Sequence, residues 1–133
     1  MASAVYPKAI ITLMSGGINL ASLDIKAVLL DTAVYTYNAG HDFYDDLSGV
    51  VATETGALAS KTIGVVGTGV FDAANGTVTA ATGTHAEACA VFVDRGGAAG
   101  ADDLLSYNEL SAPVTPNGGN IVLDWHASGI FSL

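Results

Sequence analysis

The chain has 133 residues, half of them hydrophobic and only 13% charged, with a formal net charge of −9 from 13 carboxylates against four Lys and Arg. That length suits one domain spanning residues 1–133, able to bury about two-thirds of its unfolded surface, so folding needs no disulfide or metal. Four scattered cations cannot build the basic face that nucleic acid requires, and the negative field disfavours anionic membranes.

In chain order, the first expected element is a short helix. Pro7 suits a first-turn position because it lacks only an N–H that would be unpaired there. Ile10, Leu13 and Met14 recur at helical spacing with Ile18 a turn further on, and Ser15-Gly16-Gly17 supplies the stop. Ile25 to Leu30 is a compact apolar run closed by Asp31-Thr32, with Val34 to Tyr37 as a continuation before Asn38-Ala39-Gly40 breaks the chain. His41 to Leu47 reads as a helical turn with Phe43 and Leu47 inward.

The remainder has strand texture, with Thr, Val, Ala and aromatics punctuated by glycine. Val65-Val66, Val70-Phe71, Thr77 to Ala81, Ala88 to Val93, Leu104 to Tyr107, Ile121 to Trp125 and Ile130 to Leu133 are the candidates. Asn75-Gly76 between Phe71 and Thr77 predicts a type I′ hairpin, while Arg95-Gly96-Gly97 and Asn117-Gly118-Gly119 mark loops. The expected fold is mainly β: a compact antiparallel β-sandwich or barrel, jelly-roll-like, with a short N-terminal helix.

Chemistry-bearing residues are sparse. Cys89, the single cysteine, excludes an intramolecular disulfide and follows His85 by four residues. A thiol beside an imidazole can act as a nucleophile. Four strand residues span about 13 Å, however, so a buried core cysteine is the favoured reading. His41, His85 and His126 show no ligand spacing and are expected on surface loops. Asp42, Asp45 and Asp46 could attract a hard cation, but capping a helical turn is the plainer role, and Asp102-Asp103 reads as a solvated loop.

Gly64-Val65-Val66-Gly67-Thr68-Gly69 lacks the Lys-Ser/Thr ending of a phosphate loop. Trp125 with Tyr107, Tyr35 and Tyr37 could stack on sugar rings, though core or interface packing is the commoner fate. No catalytic, cofactor-binding or metal residue is assigned, and a non-enzymatic role is expected. Lys8 before Ala9 to Met14 is too brief for a signal-peptide core, and no apolar run reaches the roughly eighteen residues of a membrane span. A soluble chain made in a cytoplasm is the expectation.

The order of segments carries a resemblance. Tyr6-Pro7-Lys8-Ala9, Ser15-Gly16-Gly17-Ile18-Asn19-Leu20 and Ile25-Lys26-Ala27-Val28-Leu29-Leu30-Asp31 open the chain. Tyr37-Asn38-Ala39-Gly40-His41-Asp42-Phe43, Gly56-Ala57-Leu58 with Lys61-Thr62, Val70-Phe71-Asp72-Ala73 and Ala86-Glu87-Ala88 follow. Pro113-Val114-Thr115-Pro116-Asn117-Gly118-Gly119, Ile121 to Trp125 and Gly129-Ile130-Phe131-Ser132-Leu133 close it. In this order the chain resembles a family of small tailed-bacteriophage virion structural proteins. The loop Gly96-Gly97-Ala98-Ala99-Gly100 after Asp94-Arg95 is richer in glycine than that family leads one to expect.

The resemblance implies a virion protein assembled in the bacterial cytoplasm, with no catalytic signature. The leading expectation is a capsid decoration, or cement, protein, a homo-oligomer with a trimer favoured, whose partner is the major capsid protein. A tail, fibre or baseplate component is the alternative, and a carbohydrate-binding module a third. The low charge also points to a surface covered by other protein.

Overall fold

The computed structural model describes residues 3–52, 56–64, 69–126 and 128–133. It is mainly β and sandwich-like, with three antiparallel sheets and one short helix near the N-terminus. The strands are β1 (Ser3–Val5), β2 (Asp24–Leu30), β3 (Thr62–Ile63), β4 (Val70–Asp72), β5 (Gly76–Val78), β6 (Ala86–Asp94), β7 (Leu104–Val114), β8 (Ile121–Leu123) and β9 (Phe131–Ser132). The helix α1 spans Pro7–Met14. Four strands form the central sheet in the order β1-β7-β6-β2, and two smaller sheets run β3-β4-β9 and β5-β8.

The central sheet is covered on both faces. Along β2, Ile25, Ala27 and Leu29 face one core, which they share with Cys89, Val91 and Val93 of β6. That core is closed by Ala9 of α1 and by Phe71, Val78, Leu123 and Phe131 of the smaller sheets. The alternate residues Val28 and Leu30 face a second core with Ala88, Ala90, Phe92, Leu104 and Tyr107. Tyr35, Tyr37, Tyr44 and Leu47 from the segment after β2 cover that side. A strand buried on both faces reads as a near-continuous apolar run, which is why Ala88 to Val93, and Ile25 to Leu30 apart from Lys26, lack polar alternation. Register shifts at Ala86/Ala88 and Val91/Phe92 change the alternation, so that Ala86 and Cys89 share a core although three residues apart.

The second core contains a buried hydrogen-bonded chain: the Tyr6 and Tyr35 hydroxyls lie 2.7 Å apart, and Tyr35 Oη reaches His41 Nδ1 at 2.9 Å. Burial raises the Tyr6 hydroxyl well above the usual tyrosine range and shifts the Tyr35 hydroxyl in the same direction. Tyr6 and Tyr37 pack with ring centroids 5.1 Å apart and Tyr37 and Tyr107 at 5.6 Å, so the aromatics form a layer rather than isolated contacts.

Several expectations change. The helix stops at Gly16-Gly17 as expected, with Gly16 at φ 83°, but only Ala9 of its residues is fully buried. Met14 is 77% exposed, and Ile18 belongs to the following loop. Val34 to Tyr37 is turn and irregular chain, not strand, because Asp31 Oδ1 accepts the Ala33 N–H and turns the chain after β2. The Asn75-Gly76 hairpin does not form. β4 pairs with β3 and β9, whereas Gly76 lies inside β5, opposite Leu123 of β8. Asn75 instead accepts the Trp125 N–H at 3.4 Å through its side-chain oxygen. Thr77 to Ala81 shortens to β5, and β1 and β3 arise where no strand was expected. Val65-Val66 and the centre of the glycine-rich segment lie outside the described residues.

Asp102 and Asp103 are buried, not solvated. Arg95 reaches back to them: its N–H donates to Asp102 Oδ1 at 2.9 Å, and its Nε and Nη2 donate to Asp103 Oδ2 at 2.9 and 2.7 Å. Nη2 also donates to the Gly17 carbonyl at 2.8 Å, tying the loop after α1 to the β6–β7 connection. A paired, hydrogen-bonded carboxylate can be buried where a lone one cannot.

Candidate functional site

An open groove of about 720 Å³ lies between the outer half of β7 and the β8–β9 region. Its position follows from unequal strand lengths. β7 runs on to Val114, whereas β1 covers its outer edge only at Ser106, Tyr107 and Asn108. Beyond that point the wall is Glu109, Leu110, Ser111 and Ala112, facing Ile121 to His126 across the gap. Ile130 and Phe131 close one end, and Cys89 contributes to the floor.

Asn108 ties β7 to the chain just before β9, at the closed end of the groove. It is buried; its Oδ1 accepts from Ser106 Oγ at 2.8 Å, and its Nδ2 donates to the Ile130 carbonyl at 2.8 Å. Trp125 is held by a 3.2 Å hydrogen bond from its Nε1 to the Ala74 carbonyl, with its ring against the first core. At the mouth Val122 is 60% exposed. Glu109, Asp124 and His126 supply polar rim groups. The groove is thus of mixed character, with Leu110, Ala112, Ile121, Val122 and Leu123 beside the polar Glu109, Ser111, Asp124 and His126.

No protein-family model matches the chain, and none of the curated proteins compared with it does.

The residues considered from sequence fall into separate places. Cys89 is buried on the first core, and burial pushes its thiol up to about 12. His85 is exposed and pairs with Glu87 at 3.1 Å, a partner on its own strand segment. Asp46 caps its turn: Oδ2 accepts the Asp42 and Phe43 N–H groups at 2.9 and 3.3 Å, and the first of these bonds holds its carboxyl below the usual range. Tyr35, Tyr37 and Tyr107 belong to the second core, and Trp125 packs against the first, so the structure does not gather them into one stacking surface. Tyr35, Tyr37 and Tyr107 line a smaller hollow of about 290 Å³ with Thr32, Thr36 and Glu109.

Sequence reasoning missed the groove, because its walls come from segments that do not adjoin in the chain. The available signal was Ile121 to Trp125 following a glycine-marked loop after β7, which is a connection short enough to bring the two walls together.

The thiol gives a direct check on the packing. Cys89 is expected to resist thiol reagents in the native state and to label only as the chain unfolds, measured by labelling kinetics with and without denaturant. Because its folded pKa is raised, its contribution to stability is intact below about pH 9 and is lost as pH rises towards 12. Tyr6, Tyr35 and Tyr107 shift in the same direction. Urea titrations are therefore expected to show stability falling on the alkaline side.

Proposed function

We propose that this chain is a structural protein of a tailed-bacteriophage particle, a capsid decoration protein that binds the outer surface of the mature capsid and bridges neighbouring capsid proteins. The observation that carries the reading is the open groove lined by the exposed Val122 and other apolar side chains, on a chain in which only 13% of residues are charged. That charge content is about half the value usual for a soluble domain. The sequence resemblance supplies the phage context, and the acidic net charge suits an exterior position away from DNA.

The physical means is interface burial. At about 25 cal/mol per Å², a few hundred Å² of apolar contact per copy gives several kcal/mol gross, much of which association entropy removes. Repetition over a symmetric lattice then gives avidity without strong single contacts. A homotrimer presenting three grooves fits this arrangement, with the major capsid protein as partner. A tail, fibre or baseplate location would use the same surface at lower copy number.

Two measurements test the reading. Quantitative mass spectrometry of purified virions is expected to find hundreds of copies, comparable with the capsid lattice. A few dozen copies would move the protein to the tail or a vertex, and absence from particles would remove both readings. Val122→Asp is expected to weaken co-sedimentation with mature capsids by at least tenfold. Its effect on stability should stay within about 0.5 kcal/mol, because the side chain is largely in water.

A further inference from the structure

We propose that Asp31, His85 and Glu87 form a binding site for one divalent transition cation, of which Zn²⁺ is the representative. The site follows from the register of the central sheet. Leu30 of β2 pairs with Ala88 of β6, so the next residues along, Asp31 and Glu87, meet at the end of the ladder, and His85 lies two positions further on. The three side chains place one nitrogen and two carboxylate oxygens within 4.8 Å of one another.

The geometry suits a small ion. Metal bonds to imidazole nitrogen and carboxylate oxygen of about 2.0–2.2 Å put neighbouring ligand atoms roughly 3.0–3.5 Å apart. His85 Nε2 and Glu87 Oε1 already lie 3.1 Å apart. Half of the His85 side chain is exposed, which leaves its ring free to close on an ion and leaves a further coordination position open to water.

Neighbouring groups hold the carboxylates in place. Asp31 Oδ1 accepts the Ala33 N–H at 2.9 Å, and Asp31 Oδ2 accepts from Thr84 Oγ1 at 3.2 Å. Glu87 Oε2 accepts the Thr32 N–H at 3.3 Å. Such outer contacts orient ligands and are part of a metal site's design. The loop carrying His85 is itself pinned. Gly83 has φ 132°, and a Cβ there would collide with the Val51 carbonyl oxygen, so glycine lets this loop pack directly on the Val51 backbone.

Charge favours an ion as well. Asp31 is buried and Glu87 half-buried, so two carboxylates share a site that is partly out of water. Lys26 and Arg95 are engaged with Asp94 and Asp103. A divalent cation would neutralise both acids together. One imidazole with two carboxylates matches zinc-like ions, whereas calcium takes six to eight oxygens. Bound there, the ion would clamp the turn after β2 to the start of β6, independently of whether the groove binds capsid.

The test uses the full chain without a histidine tag. Equilibrium dialysis and calorimetry with ZnCl₂ are expected to give one ion per chain, with Ca²⁺ at least a hundredfold weaker. At a hundredfold excess over Kd, Zn²⁺ should raise Tm by roughly 8–10 °C. His85→Ala and Glu87→Gln should each weaken binding at least tenfold, while His41→Ala and His126→Ala leave it unchanged. His85 is exposed, so His85→Ala is expected to fold, and its Tm without metal checks this. Binding below about 0.2 ion per chain, or binding retained in His85→Ala, would overturn the proposal. So would equal loss in the His41 and His126 variants.

Discussion

Arg95→Ala is expected to destabilise the protein by about 2–3 kcal/mol, lowering Tm by roughly 10 °C. Asp103 has a side chain only 7% exposed, and the described cation against it is Arg95. Removing the guanidinium leaves that carboxylate desolvated and opposed by no charge, which costs more than the pair itself contributes. The usual 3–5 kcal/mol for breaking a buried pair is reduced here because Arg95 keeps 31% of its side chain in water. The same change frees the Gly17 carbonyl and so loosens the loop after α1 from the β6–β7 connection. Asp103→Asn in the Arg95→Ala background should recover about half the loss, since an amide needs no counter-charge. Urea unfolding of both variants reads this as shifts in midpoint; a loss below about 0.5 kcal/mol for Arg95→Ala would reduce the pair to an ordinary surface contact.

Phe92→Ala is expected to cost more, about 3–5 kcal/mol. Phe92 is fully buried in the second core, with its ring centroid 4.7 Å from that of Tyr44. Truncation removes the ring contact that packs the Tyr44–Asp46 turn on the second core, beside the backbone bond from the Tyr44 N–H to the Asp102 carbonyl, and leaves a cavity next to Leu30 and Leu104. A protein of this size has roughly 5–15 kcal/mol of stability in all, so the variant should be near its unfolding limit at 37 °C. Phe92→Leu, which keeps most of the volume, should cost about 1–2 kcal/mol. Limited proteolysis is expected to cut Phe92→Ala first within residues 38–48. Wild-type-like resistance there would mean that the aromatic layer contributes little.

How much of this was legible in the sequence depended on whether the signal was local. The apolar runs at Ile25 to Leu30 and Ala88 to Val93 identified β2 and β6, because burial on both faces leaves a mark in most of their residues. Pro7 and Gly16-Gly17 bracketed the helix by their own backbone preferences. β1 and β3 are three and two residues long, too short for any period to show. Asn75-Gly76 carried genuine turn chemistry, but long-range pairing with β8 outweighed it. Asp102-Asp103 looked solvated because nothing in the sequence announces that Arg95 folds back onto it. The groove, and the meeting of Asp31 with His85 and Glu87, exist only once β2, β6, β7 and β8 are assembled, so no motif spacing could reveal them.

The strand pairing also sets the order in which the molecule can be completed. β1 at residues 3–5 finds its partner at residues 106–108, and β4 at residues 70–72 is completed by β9 at residues 131–132. Contacts so distant along the chain cost loop-closure entropy before they return anything, which places folding in the slow, millisecond-to-second range. During synthesis the early segments therefore wait with unpaired edges, exposed to wrong partners. The β3-β4-β9 sheet closes only once residues 131–132 can reach β4, so until then the first core lacks Phe131 against Phe71.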